Sequence, residues 1–170
     1  TLEFFPSGNV RGVVNSNPGA SATFRYGALN VLREMNLISS DTDTRHTWGF
    51  GDLLELKEQV INGKPLQILT RHIPGPGGII ATRRGMKQEW VFPFGEMRGA
   101  RYAVDGQGRF VQDVEYTPFG EPKSNGVEGY PGTRLYSSDQ WNGGESLEGL
   151  GLSHLGARLH DPVIGRFLSR

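Results

Sequence analysis

An aromatic side chain running into a glycine turn recurs along this chain, and it constrains the fold more than any other feature. It appears as Phe5-Pro-Ser-Gly-Asn-Val10, Phe24-Arg-Tyr-Gly-Ala28, Trp48-Gly-Phe-Gly-Asp-Leu53, Phe92-Pro-Phe-Gly95 and Tyr116-Thr-Pro-Phe-Gly120. The spacing is about two dozen residues, with a longer gap before Phe92, which is about two ordinary strands plus their turns. Glycine enters turns because it reaches positive φ at little steric cost. The chain carries 25 glycines and 10 prolines in 170 residues, so glycine is about twice its usual share of roughly 7%. There is no Gly-X-Y period and no charge imbalance, so the composition is that of many short strands joined by turns.

The clearest hairpin spans residues 100–116. Arg101 and Ala103, and the alternation Phe110, Gln112, Val114, Tyr116, follow a period of two. Asp105-Gly-Gln-Gly108 is the expected turn, with Gly106 and Gly108 both supplying positive φ. Residues 55–61 (ELKEQVI) fit one or two helical turns or a strand equally well. Residues 122–132 read as a loop and 142–151 as an irregular Gly-rich segment. No segment has the pattern of a long amphipathic helix. The expected fold is therefore mainly β, built of repeated antiparallel hairpins, with hairpin repeats over 1–90 and a second unit over 91–170. Isolated hairpins are marginal and expose sheet edges. This chain is thus expected to sit against more sheet, its own upstream repeats or a partner's. Its start at Thr1, without an initiator Met or a signal pattern, agrees with a piece of something longer.

The function classes narrow by chemistry. Eighteen basic and eighteen acidic residues cancel, so no global field favours nucleic acid or acidic lipid. The absence of cysteine excludes disulfides, thiol catalysis and cysteine-ligated metal. No apolar run approaches the roughly 20 residues that cross a bilayer, so no membrane insertion is expected from this segment. His46, His72, His154 and His160 show no ligand spacing, and no metal or cofactor is expected. Gly75-Pro-Gly-Gly78 lacks the Lys-Ser/Thr and strand–helix context of a phosphate loop. Trp48, Trp90 and Trp141 suit either a sugar platform or stacking within the sheet.

From residue 109 onward the chain resembles the RHS or YD-repeat proteins, and specifically their RHS-associated core. Tyr116-Thr-Pro-Phe-Gly-Glu121 is similar to that core's Tyr-Asp-Pro-Phe-Gly-Glu signature, with Thr117 in place of Asp. Gly151 to Ser169 (GLSHLGARLHDPVIGRFLS) follows the core's downstream motif, except that Ser153, His154, Leu159 and His160 fill its aromatic slots. Gly95-Glu-Met-Arg-Gly99 stands where the family has Asp-His-Leu-Gly-Ser and matches poorly. Before residue 90 the likeness to YD repeats is loose.

The resemblance implies the C-terminal end of a spiralling β-sheet shell, with an irregular inward-facing plug. Bacterial members enclose a C-terminal toxic domain, and in many the core is an aspartyl autoprotease that frees it. Related shells in animal teneurins serve adhesion. Carried onto this chain, Asp161 is the first carboxylate and Arg158 the residue that orients it or stabilises developing charge. Tyr116, Pro118, Phe119, Gly120, Pro162, Gly165, Arg166 and Phe167 make up the structural motif. Two carboxylates sharing a proton are what such hydrolysis requires. The family's second aspartate would follow Arg170, so the 170 residues alone are expected to be inactive. Asp161 before Pro162 is also ordinary turn chemistry. The implied partners are the rest of the shell and an enclosed toxin, with a secretion-system or toxin-complex component, in a product secreted or delivered to target cells. The alternative is a non-catalytic shell segment that serves adhesion or binds a glycan or protein.

Overall fold

A computed structural model describes residues 1–15, 19–39, 42–51, 53–61, 63–76, 78–85, 87–94, 101–125, 141–147 and 149–168. The fold is mainly β, in antiparallel hairpins, as the turn pattern predicts. Twelve strands form one sheet: β1 (Leu2–Phe4), β2 (Val10–Val14), β3 (Ser21–Tyr26), β4 (Leu32–Ile38), β5 (Thr42–Gly49), β6 (Leu54–Ile61), β7 (Lys64–Gly75), β8 (Gly78–Arg84), β9 (Glu89–Phe94), β10 (Tyr102–Asp105), β11 (Phe110–Tyr116) and β12 (Pro122–Asn125). Their order in the sheet is their order in the chain, with β1 and β12 at the edges. A second sheet follows in the same way: β13 (Glu145–Leu147), β14 (Leu152–Leu155), β15 (Arg158–Asp161) and β16 (Arg166–Phe167). Pairing of β8 with β9 carries the large sheet through residue 90 without a break.

Three of the Gly turns share one geometry. Phe5, Asp105 and Thr117 each donate their N–H to the carbonyl four residues on, at Asn9, Arg109 and Glu121. Each also accepts from the glycine three residues on, Gly8, Gly108 or Gly120, and all six bonds measure 2.9 Å. These glycines have φ of 86°, 77° and 88°, the left-handed position of a three-residue hairpin loop. A register shift sits beside each turn, at Glu3/Phe4, Ala103/Val104 and Glu115/Tyr116. That is the bulge such a glycine creates.

Several local expectations are corrected. Gly106 is not in the left-handed region; Gly108 alone serves that turn. Residues 55–61 lie in a strand, because the β5 and β7 ladders pair them on both sides. Pro122–Asn125 is strand β12 rather than loop, held by β11. Glu145–Leu147 is strand β13, inside the segment expected to be irregular. Phe92-Pro-Phe94 is strand rather than turn: Pro93 stands past the last β8 pairing at Val91, where the missing N–H costs no ladder bond. Gly95 to Gly99 lies outside the described residues.

The register gives the large sheet two unlike faces. Phe24, Met35 and His46 line up across β3–β5 on the inner face. On the opposite face Arg25, Glu34, Arg45, Glu58 and Gln67 form a ladder of alternating partners. Glu34 Oε2 lies 3.1 Å from Arg45 Nη2, and Gln67 Nε2 donates to Glu58 Oε1 at 2.9 Å. Farther along, on β8–β11, that outer face turns aromatic. Trp90 and Phe92 lie near-parallel at 6.3 Å, Phe94 stacks on Tyr102 at 5.3 Å, and Arg83 sits 5.6 Å over Trp90.

The main core joins the two sheets. Val10, Val13, Ala22, Phe24, Met35, Leu37 and Trp48 of the large sheet cluster with Leu147 and Leu159 of the small one. Leu147 and Leu159 are both fully buried, worth about 2 kcal/mol each in transfer alone. A smaller cluster of Val91, Ala103 and Val111 lies farther along the large sheet.

Candidate functional site

The inner face carries a buried acid. Glu55 on β6 stands across from Trp48 on β5 and Thr70 on β7. His46 Nδ1 lies 3.0 Å from its Oε1 and His72 Nε2 3.6 Å from its Oε2, and all three side chains are largely buried. Burial pushes the Glu55 carboxyl up, but hydrogen bonds from His46 and His72 and their charge outweigh it and hold it well below the carboxylate range. Each imidazole turns one ring nitrogen to the carboxylate, Nδ1 of His46 and Nε2 of His72. The Trp48 ring packs against His46, with centroids 5.5 Å apart.

His72 also faces the opening between the sheets, a cleft of about 470 Å³ lined by Leu32, Trp48, His72, Ile79, Glu145 and His154, among others. That volume is within the range of small-ligand sites. Across the cleft, His154 on β14 stacks on Phe24 at 4.8 Å, and its Nε2 lies 2.8 Å from the Tyr26 hydroxyl. Burial pulls the His154 imidazole down to about 4, and burial likewise pushes the Tyr26 phenol up to about 12. Both are neutral at pH 7 and share this hydrogen bond. Among the described residues no group of three His, Cys, Asp or Glu is arranged to hold a metal ion.

The residues singled out in the sequence lie elsewhere. Asp161 ends β15, and its Oδ1 accepts the N–H groups of Val163 at 2.9 Å and Ile164 at 3.2 Å. That is an Asx turn. Arg158 places its guanidinium 4.0 Å over the Phe167 ring, and Arg166 is the register partner of Asp161. Pro162 is buried in the turn. Tyr116 is partly buried, its hydroxyl has no hydrogen-bond partner among the described residues, and burial pushes its phenol up to about 12. Pro118 and Phe119 form the turn that Gly120 closes.

The two stretches that carry the resemblance touch. A Cβ on Gly165 would come within 2.8 Å of the Phe119 ring, and a Cβ on Gly120 within 2.5 Å of Trp141. Trp141 in turn stacks on His160, which also meets Phe167 edge-on. None of these residues is named above as lining the cleft, and Ser169 and Arg170 lie outside the described residues. Trp48, Trp90 and Trp141 each stack on a different partner, so they do not form one platform.

In the sequence Glu55 is not singled out, and His46 and His72 are weighed only as metal ligands. The one available signal was alternation, His46 and Trp48 on one face of β5, but the pairing of distant histidines through one carboxylate depends on register.

No family model matches the chain. It is 32% identical over 126 residues to Salivary gland surface protein 1 of Aedes aegypti. The match covers 68% of this chain and 3% of that protein.

Proposed function

We propose that this chain is a stretch of wall from an RHS or YD-repeat shell, at the end where the sheet meets the core. In this reading the shell encloses a C-terminal effector, and the core takes part in its autoproteolytic release. The observation that carries it is the twelve-strand meander, which runs in chain order and ends on two edge strands, β1 and β12. Such an edge offers unpaired N–H and C=O groups to further strands. The contact of Phe119 with Gly165 supports it, because it brings the two motif stretches together. The four-stranded sheet, packed on the inner face through Leu147 and Leu159, takes the part of the plug.

The test is the parent protein, imaged by electron microscopy with limited proteolysis of its C-terminal segment. A hollow particle that shields this segment is the expected result; an open, fully digestible chain would end the shell reading. For release, the parent protein with Asp161→Asn should stay uncut, and efficient cleavage of that variant removes Asp161 from the chemistry.

A second reading has its own support: a non-catalytic shell segment used in adhesion or partner binding. Asp161 is engaged as a turn residue, and the matched mosquito protein is named as a surface protein. Its test is a pull-down on glycan and receptor arrays with the parent protein. No specific retention at physiological salt counts against it.

A further inference from the structure

We propose that the seam between the two sheets is an acid-operated latch, in which protonation of His154 releases the four-stranded sheet while the large sheet stays folded. The latch uses only groups within this chain, whether or not the chain is shell wall.

The seam is held by apolar contact and by a polar link from His154 to Tyr26. Leu147 and Leu159 enter the cluster built on Val10, Phe24 and Met35. His154 lies between them in the small sheet, opposite Glu145 on β13 and Leu159 on β15. From the large sheet it meets Phe24 and Tyr26 of β3. The imidazole is buried, its ring stacked flat on Phe24 and its Nε2 against the Tyr26 hydroxyl. A second proton on the ring places a charge against these apolar neighbours.

Of the other charged groups near the seam, Arg33 of β4, packed against Gly27, is a cation. Tyr26 is a phenol held neutral by burial. Glu55 is committed to His46 and His72. His72 stands on the far side of the cleft. Glu145 is the one acid opposite His154 on its own sheet, and the experiment includes it.

The direction follows from linkage. A group whose folded pKa is depressed binds fewer protons than its exposed form, so acid favours the open state. With a value of 6.5 in the open form and about 4 in the closed one, the open fraction rises roughly fourfold at pH 6 and roughly thirtyfold at pH 5, relative to pH 7.5. Opening exposes Leu147, Leu159 and the inner face of β2–β5.

Hydrogen exchange of the whole chain from pH 7.5 to 5, corrected for intrinsic rates, tests the latch. The expected result is that amides of β13–β16 lose protection by these factors while those of β6 and β7 keep theirs, and that His154→Phe abolishes the change. Glu145→Gln should leave the response in place or steepen it. Unchanged protection of β13–β16 at pH 5, simultaneous loss in β6 and β7, or a wild-type response in His154→Phe each overturns the proposal. If His154→Phe does not fold, the His154 ring resonances of the unaltered chain decide: a midpoint near 4 with seam opening supports the latch. A midpoint near 6.5 with the seam still protected overturns it.

Discussion

His46 Nδ1 lies 3.0 Å from Glu55 Oε1 across the β5–β6 ladder, with the two side chains 5% and 8% exposed. Two imidazoles face this deep carboxylate and offset the cost of burying it. Glu55→Gln is expected to cost about 2 kcal/mol at pH 7, the usual loss for hydrogen bonds to a charged group. Denaturant unfolding of both proteins at that pH measures it.

The pH response of the same group has a definite sign. The folded Glu55 carboxyl is held below the 4.5 of the exposed group. Its contribution is present above about pH 4.5 and is lost as pH falls below that value. Melting temperature against pH should therefore drop more steeply below 4.5 in the unaltered protein than in Glu55→Gln. Parallel curves would show that the carboxylate is not held as described.

Two glycines separate strain from crowding. Gly108 has φ of 77° with open space around its missing Cβ, whereas a Cβ on Gly120 would meet the Trp141 ring at 2.5 Å. Gly108→Ala is expected to cost about 1–2 kcal/mol, the strain of an L side chain in the left-handed region. Gly120→Ala carries the same strain plus overpacking of about 1–3 kcal/mol. Equal losses in the two variants, read by thermal unfolding, would contradict the contact with Trp141.

Leu159 bridges the sheets from a fully buried position. Leu159→Ala should cost about 2–5 kcal/mol. Because Leu159 touches the cluster around Val10 and Phe24, the loss should show first as exchange of β13–β16 amides, with β6 and β7 affected least.

Asp161 is a turn residue by its contacts, so Asp161→Asn, which keeps an acceptor for the Val163 and Ile164 N–H groups, should change stability by under about 0.5 kcal/mol. Asp161→Ala removes the acceptor and should cost about 1 kcal/mol. Unfolding midpoints of the two variants distinguish these outcomes.

The hairpin architecture was legible because its signals are local. Pro6-Ser-Gly8, Gly106-Gln-Gly108 and Pro118-Phe-Gly120 each specify a turn within five residues. The strand at 55–61 was not legible, since ELKEQVI offers no period that separates helix from strand and only the flanking ladders decide it. Phe92-Pro-Phe misled for a related reason: proline reads as a turn, and only the register shows that the β8 pairing stops at Val91, before Pro93. The Glu55 cluster was out of reach because His46 and His72 meet only once β5, β6 and β7 are in register. The resemblance drew attention to Asp161 and Arg158, while the buried chemistry sits on the other sheet.

Since each strand of the large sheet pairs only with its sequence neighbours, its contacts are short in sequence, and such topologies assemble quickly. The seam is the exception, joining Val10 to Leu147 and Leu159 across almost the whole chain. Pulled from its two ends, the protein should therefore resist first at the seam. After that one rupture the meander is left to open hairpin by hairpin, like a fastener whose last clasp has been undone.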